Sequence, residues 1–221
     1  LINEQKPIAD LRLADGSRVH AVLPPAAPNG PVLCIRRFTG IQPTMSALIE
    51  SGALTEEAAE FLQTLVQNKM NIFISGGTGT GKTTLLNVLS TFIPANERII
   101  TIEDAMELQL PTIRNLVRLE ARIAGPDGRG ELSLSDLIRS SLRLRPDRII
   151  VGEVRGREAY DMLQAMQTGH PGSMSTGHGN SAEGMLERLS LFLLTASQLP
   201  WEACRRLIAS SLHFLIHLSR Q

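Results

Sequence analysis

The spacing of apolar residues changes along the chain, and each change marks an element. Apolar and polar residues alternate from Ile8 to Leu13 and from Arg18 to Leu23, and Ala14-Asp15-Gly16-Ser17 between them has turn chemistry. That pattern predicts a β-hairpin. Pro24-Pro25-Ala26-Ala27-Pro28-Asn29-Gly30-Pro31 is a loop that stops any helix, and Val32 to Arg37 is a third strand. Three strands without a covering helix bury little, so this piece is expected to lean on other parts of the chain or on residues outside it.

The period then lengthens. Helices are predicted from Thr44 to Glu50 and from Thr55 to about Lys69, where Thr55 caps, Glu56 and Glu57 fill the first turn, and Phe61, Leu62, Leu65 and Val66 form the apolar face. Met70 to Ser75 reads as a buried strand and Thr83 to Thr91 as a helix. Further strands are predicted at Arg98–Asp104, Asn115–Arg122, Arg148–Glu153, Gly172–Thr176 and His213–Leu218. Helices are predicted from Ser133 to before Pro146, over Ala159–Met166 with Gly169 at its C′ position, over Ser181–Leu194, and from Pro200. Gly125-Pro126-Asp127-Gly128-Arg129-Gly130 is a loop, and no internal repeat is visible. Strands and helices in alternation imply an α/β fold with a mostly parallel sheet flanked by helices over residues 41–221, preceded by a partial β-rich domain over residues 1–40.

Between one strand and one helix stands Gly76-Gly77-Thr78-Gly79-Thr80-Gly81-Lys82-Thr83-Thr84, a full G-x-x-x-x-G-K-[ST] match in the strand–loop–helix context it requires. Glycines let the backbone wrap a phosphate with N–H groups pointing inward, and the helix N-terminus adds its unpaired donors and positive dipole end. Cofactor contacts are therefore expected from Gly77, Thr78, Gly79, Thr80, Gly81, Lys82, Thr83 and Thr84. Lys82 would reach the β- and γ-phosphates of ATP, and the Thr83 hydroxyl would bind Mg²⁺.

Composition narrows this only at the margins. With 221 residues the chain can bury about 70% of its unfolded surface without disulfides. Zero net charge and 4% aromatic residues argue against a chain-wide nucleic-acid surface, so no nucleic-acid partner is expected. Cys34 and Cys204 lack metal-ligand spacing and read as small buried hydrophobes in a reducing compartment. No apolar run has the length of a membrane span, the start resembles neither a signal peptide nor an initiator, and a cytoplasmic location is expected of what reads as a fragment or processed chain.

Carboxylates end two of the buried strands, where an α/β sheet places its ligand crevice: Glu103-Asp104, and Glu153 after Ile149-Ile150-Val151. The second resembles a Walker B strand with Gly152 where an Asp is common. Glu153 is the candidate for polarising water, and Glu103 for a metal-side or water-positioning role; the two assignments can exchange, and either acid can instead be a solvated strand end. His178 is a candidate γ-phosphate sensor; His170 is a weaker one, and the pair lacks a third ligand for zinc. Arg118 and Arg122 share a face of one strand, with Glu120 between them, as solvated residues or as arginine fingers for a neighbouring subunit; Arg36 and Arg37 are comparable.

These segments stand together in the order of a known family. Asp15-Gly16-Ser17-Arg18-Val19, Pro24-Pro25, Ile35-Arg36-Arg37-Phe38, the glycine loop, Thr101-Ile102-Glu103-Asp104, Arg145 to Gly156 and Thr168-Gly169-His170 resemble the type II/type IV secretion superfamily of traffic ATPases, most closely the CpaF-type motors of tight-adherence (Flp) pili. The resemblance runs from Ile8 nearly to the end. It implies a RecA-like core behind a β-rich N-terminal domain, an Asp box at Glu103-Asp104, a Walker B end at Gly152-Glu153 and a His box at His178. It further implies a ring hexamer whose nucleotide contacts include Arg36, Arg118 and Arg122, and an integral inner-membrane platform protein as partner. Hydrolysis would drive domain closure for pilus assembly, retraction or secretion from the cytoplasmic face of the membrane. The sequence departs from the family in placing Gly177 and Gly179 around His178, where Thr-x-His-Ala-Asn-Ser is common, which predicts a looser loop or a changed coupling. The family also implies more chain before Leu1 and after Gln221.

Other classes compete. A RecA-like DNA translocase or helicase would show DNA-stimulated turnover, and a nucleotide-binding switch would bind without turnover. A GTPase would need its guanine motif, but Asn68-Lys69 continues as Met70-Asn71 and precedes the loop; a small-molecule kinase would need an acceptor site or lid that is not evident.

Overall fold

The structure is a computed structural model that describes residues 2–37, 43–125 and 129–220. Phe38 and the centre of the 125–130 loop lie outside these residues. The chain divides into two compact units, Leu1–Ile41 and Gln42–Gln221.

The first unit is a three-stranded antiparallel sheet of β1 (Ile8–Arg12), β2 (Arg18–Val22) and β3 (Val32–Arg36), in that order. Asp15 makes the hairpin turn by accepting from the Ser17 N–H and hydroxyl, both at 2.9 Å. The register puts Asp10, His20 and Cys34 side by side, with His20 Nδ1 2.7 Å from Asp10 Oδ1. Cys34 is exposed, like the rest of β3, rather than buried, whereas Cys204 is buried as expected.

The second unit begins with α1 (Met45–Glu50) and α2 (Glu56–Gln67), capped by the side chains of Thr44 and Thr55. There follow β4 (Ile72–Gly76), α3 (Lys82–Ser90), β5 (Arg98–Glu103), β6 (Asn115–Glu120), α4 (Leu134–Ser141) and a 3₁₀ turn at Leu142–Leu144. The unit is completed by β7 (Arg148–Val154), α5 (Glu158–Gln167), β8 (Met174–His178), α6 (Ala182–Ala196), α7 (Trp201–Ser211) and β9 (Phe214–Leu218). Ser133 and Asp136 form a capping box on α4, and Arg145 takes a left-handed conformation that turns the chain toward β7.

Six strands pair in parallel in the order β6-β5-β7-β8-β4-β9. This is the α/β core expected of the sequence, with helices on both faces. Ile100, Ile102, Val151 and Phe73 pack toward α4, α5, α6 and α7, while Ile72, Ile74, Ile99 and Ile150 pack toward α2 and α3. Alternation along β5 therefore sends Thr101 and Glu103 to the α3 side. Because β4 is joined to β5 through α3 while β8 and β7 lie between them, the crevice at the strands' C-terminal ends opens beside the glycine loop.

Most boundaries shift by a residue or two from the sequence reading, and three of the shifts bear on the site. β8 runs on to His178, because Gly177 lies extended against Phe73. β6 stops at Glu120, so Arg122 is not on that strand but bridges Leu132. α3 begins at Lys82.

Two buried polar assemblies hold the opposite end of the sheet, where the strands begin. Arg148, wholly buried at the head of β7, donates to Glu97 Oε2 at 2.6 Å, to Glu97 Oε1 at 3.1 Å and to the Val66 carbonyl at 2.7 Å. Asn71 accepts from the N–H groups of Gly172 and Ser173 and donates to the Ser211 carbonyl at 2.7 Å. It thus joins the chain before β4 to the loop before β8 and to the end of α7. His170 precedes β8 and lies at this end, away from the glycine loop, with Nδ1 3.2 Å from the Ala165 carbonyl.

Candidate active site

The glycine loop joins β4 to α3. A Cβ on Gly76 would stand 2.6 Å from both the Leu218 carbonyl and Thr80 Oγ1, so only glycine fits there. Gly79 and Gly81 have φ of 75° and 92°, a region open to glycine. Thr80 Oγ1 donates back to the Gly77 carbonyl at 3.0 Å and closes the loop, while Thr78 and Gly79 form its exposed tip. Gly81 has no side chain to cap α3, so the N–H groups of Lys82, Thr83 and Thr84 have no partner within the helix. The uncapped donors, the helix dipole and one ammonium make a cradle whose chemistry fits a polyphosphate.

Lys82 is buried, and its Nζ donates to the carbonyls of Gly76 at 3.0 Å and Gly77 at 2.6 Å. Burial holds its ammonium below the ordinary lysine value, against the Glu153 charge. The same Nζ lies 3.4 Å from His178 Nδ1, and His178 Nε2 lies 2.9 Å from Glu153 Oε1. Lys82, His178 and Glu153 therefore form a line across the ends of β4, β8 and β7. Burial pushes the Glu153 carboxyl up, but the Arg155 hydrogen bond and the charges of Arg155, His178 and Lys82 bring it below the usual glutamate value. His178 is held below the ordinary imidazole value by burial, against the Glu153 charge, with the Lys82, Arg155 and Arg188 charges adding to the lowering.

Glu103 is buried from β5, and its Oε1 accepts from the N–H groups of Glu107 at 2.8 Å and Leu108 at 2.9 Å. Its Oε2 is buried without a hydrogen bond, 4.0 Å from Arg118 Nη2. A Cβ on Gly152 would meet Glu103 Cγ at 3.0 Å, so the Glu103 side chain occupies the space a side chain at 152 would take. Burial raises the Glu103 carboxyl above its ordinary value, against two backbone donors and the Arg118 charge. An acid raised in this way favours the fold below the ordinary value of 4.5 and loses that contribution as pH climbs through the raised one. Glu103→Gln, which keeps the acceptor for Glu107 and Leu108, is therefore expected to melt higher than the parent at pH 8 and level with it at pH 4. A lower melting temperature at both pH values would mean the charged form is the stabilising one.

The arginines are dispersed. Arg118 donates to the Leu108 carbonyl at 2.9 Å and belongs to the Glu103 side of the site. Arg122 Nε donates to the Gly130 carbonyl at 2.6 Å, holding the loop before α4. Arg36 ends β3 in the first unit, exposed.

The glycines around His178 are close-packing positions rather than a source of looseness. A Cβ on Gly177 would lie 2.7 Å from Phe73 Cζ, and one on Gly179 would lie 2.7 Å from Ser75 Oγ and 3.0 Å from Met185 Cβ. Gly179→Ala is expected to lose about 1–3 kcal/mol of stability by overpacking, readable as a shifted urea midpoint. Arg155, which grips Glu153, was not singled out by the sequence reading. It sits two residues along β7's exit, where strand alternation returns a side chain to the same face.

Among the described residues, no group of three or more His, Cys, Asp or Glu side chains is placed to hold a metal ion, and no helix is long and apolar enough to cross a membrane. The groups here that suit a hard cation are the Thr83 hydroxyl and the two buried carboxylate oxygens without a hydrogen bond, Glu103 Oε2 and Glu153 Oε1.

Known proteins resemble this chain in sequence and fold. Residues 1–221 match the family described as Type II/IV secretion system protein. Type IV secretion system protein PtlH of Bordetella pertussis is 35% identical over 241 residues, covering 98% of this chain and 71% of its own. An uncharacterized protein of Methanocaldococcus jannaschii, MJ0781, is 47% identical over 180 residues, which are 79% of this chain and 25% of that one. The crystal structure of the VirB11 ATPase from the Brucella suis type IV secretion system, in complex with sulphate, superposes with a TM-score of 0.64 at 33% identity over 98% of this chain and 72% of its own. The chain thus spans a quarter of one relative and less than three quarters of the others. With the glycine loop, the two strand-end carboxylates and His178 on one parallel sheet, and a family match along its whole length, the chain belongs to the Type II/IV secretion system protein family.

Proposed function

We propose that this chain is the catalytic part of a Mg²⁺-dependent ATPase that drives a secretion or pilus machine. The observation that carries the reading is the line Lys82–His178–Glu153, a phosphate-binding cation and a carboxylate joined through one imidazole. The N–H groups from Gly77 to Thr84 and the Lys82 ammonium bind the phosphates; Thr83 and Glu103 would hold Mg²⁺, which when bound neutralises phosphate charge. Glu153, ionised at neutral pH, orients water and accepts its proton. His178, in contact with both Lys82 and Glu153, senses the γ-phosphate. Arg118, Arg122 and Arg36 complete the site or that of a neighbour in a homo-oligomeric ring, with a hexamer as the expected form. The chain works at the cytoplasmic face of the inner membrane against integral platform proteins, in a CpaF-like role in tight-adherence pili. Residues 1–40 serve as the partial N-terminal domain and 41–221 as the ATPase domain.

ATP turnover with Mg²⁺, measured against protein concentration for the parent and Glu153→Gln, tests this. The expected result is a specific rate that rises with concentration and falls by at least about a hundredfold in the variant. A rate independent of both would overturn the mechanism, and binding without turnover at any concentration would favour a switch.

A further inference from the structure

Glu153 has one strong contact that the proposed chemistry leaves unused. Arg155 Nη2 donates to Glu153 Oε2 at 3.0 Å, and its Nε lies 2.9 Å from Oε1 as an ion-pair contact, Oε1 itself being buried without a hydrogen bond. Its third nitrogen, Nη1, lies 3.7 Å from Asp104 Oδ2, at the exit of β5. The backbone from which this arm projects is itself pinned: Glu158, in the first turn of α5, accepts from the N–H groups of both Arg155 and Gly156. The Arg155 side chain is 59% exposed, and a pair so open to water contributes at most about 1 kcal/mol to folding. Stability is therefore a weak reason for the grip. Orientation is a stronger one, because the carboxylate it holds is the one turned toward His178.

We propose that Arg155 is a positioning residue for Glu153: its guanidinium fixes the carboxylate with Oε1 toward His178 and ties it to Asp104 on the Glu103 side of the site. The charged groups around this contact come from every side. Glu153 faces Arg155, His178 and Lys82; Arg155 faces Glu153, Asp104 and Glu107; His178 faces Glu153, Lys82, Arg155 and, from α6, Arg188. Lysine would keep the charge but not the planar guanidinium that donates to Oε2 while lying against Oε1.

This inference rests on the ATPase reading, and the test separates the two. Arg155→Gln and Arg155→Lys are compared with the parent in ATP turnover and, without nucleotide, in the titration of the His178 ring followed by NMR on histidine-labelled protein. Arg155→Gln is expected to lower kcat by about tenfold, the scale on which a small misplacement of a catalytic group acts, with KM for ATP within about twofold. Its His178 midpoint should move up, since a cation beside the ring has gone, and Arg155→Lys should restore the midpoint and part of kcat. An unmoved His178 midpoint in Arg155→Gln overturns the proposal whether or not the parent turns over ATP. So does an unchanged kcat in an active enzyme, or a loss of kcat that tracks a fall in melting temperature and is not relieved by lysine. An inactive parent with a shifted His178 midpoint would sink the ATPase reading and leave the contact standing.

Discussion

Lys82→Ala is expected to lose nucleotide binding by one to two orders of magnitude and to bring ATP turnover to background. The ammonium is aimed along the glycine loop and held there by the Gly76 and Gly77 carbonyls, so it is the one cation delivered to the cradle by the loop's own helix. A hydrogen bond to a charged group contributes about 1.5–3 kcal/mol, and removing one donor to developing charge costs about 10²–10³ in kcat. Fold stability should respond differently. Burial already holds this ammonium below its ordinary value, so deleting it removes a desolvated charge as well as two neutral acceptors' partner. Equilibrium binding of a fluorescent ATP analogue, read beside a thermal melt, separates the effects. A variant that melts far below the parent would show that Lys82 is a strut of the loop rather than a ligand group.

Glu97→Ala should be the most damaging change outside the site, losing about 3–5 kcal/mol of unfolding free energy. Its carboxylate is the two-point partner of Arg148, which has no solvent access and spends its third bond on the Val66 carbonyl. Deleting the acid strands a guanidinium inside the protein, and the fold then bears the full desolvation of that charge. Replacing both partners by methionine should recover most of the loss, because the pair's mutual attraction and its desolvation nearly offset. Burial pushes the Glu97 carboxyl up, but the Arg148 hydrogen bond and charge, with Lys69, bring it below its ordinary value. An acid so depressed contributes stability above the ordinary value of 4.5 and loses it as pH falls through the lower one. The parent should therefore weaken below pH 4.5 more steeply than the double variant. Urea melts of the parent, both single variants and the double variant close the cycle. A double variant as unstable as Glu97→Ala would mean that the packing around the pair, and not its charge, is what matters.

What the chain disclosed before its structure follows from how far each signal reaches. The glycine loop was legible because all its requirements lie within nine consecutive residues, Gly76 to Thr84, whose types are dictated by the phosphate cradle. The capped helices at Thr44, Thr55 and Ser133 were legible for the same local reason. Glu103, Glu153 and His178 could be placed at strand ends, but their distances could not, since those depend on β8 inserting between β7 and β4. The same limit hid the Arg148–Glu97 pair: each charge stands at the start of a buried run, and only strand order shows that the two meet. Arg118 and Arg122 looked equivalent by alternation, yet they part company once β6 stops at Glu120 and Arg122 pairs with Leu132. Cys34 was misjudged because β3 is exposed along its whole length, on both faces, which the composition of the strand does not reveal.

The side chain of Glu103 lying over the bare backbone of Gly152 has a consequence for how such sites are catalogued. One pocket of space accepts one carboxylate, and it can be furnished from β7 or from the strand beside it. A side chain at 152 requires the Glu103 side chain to shift, so the two positions are coupled although they lie in distant stretches of sequence. A pattern that asks for an acid at 152 would miss the carboxylate that stands beside that position on β5.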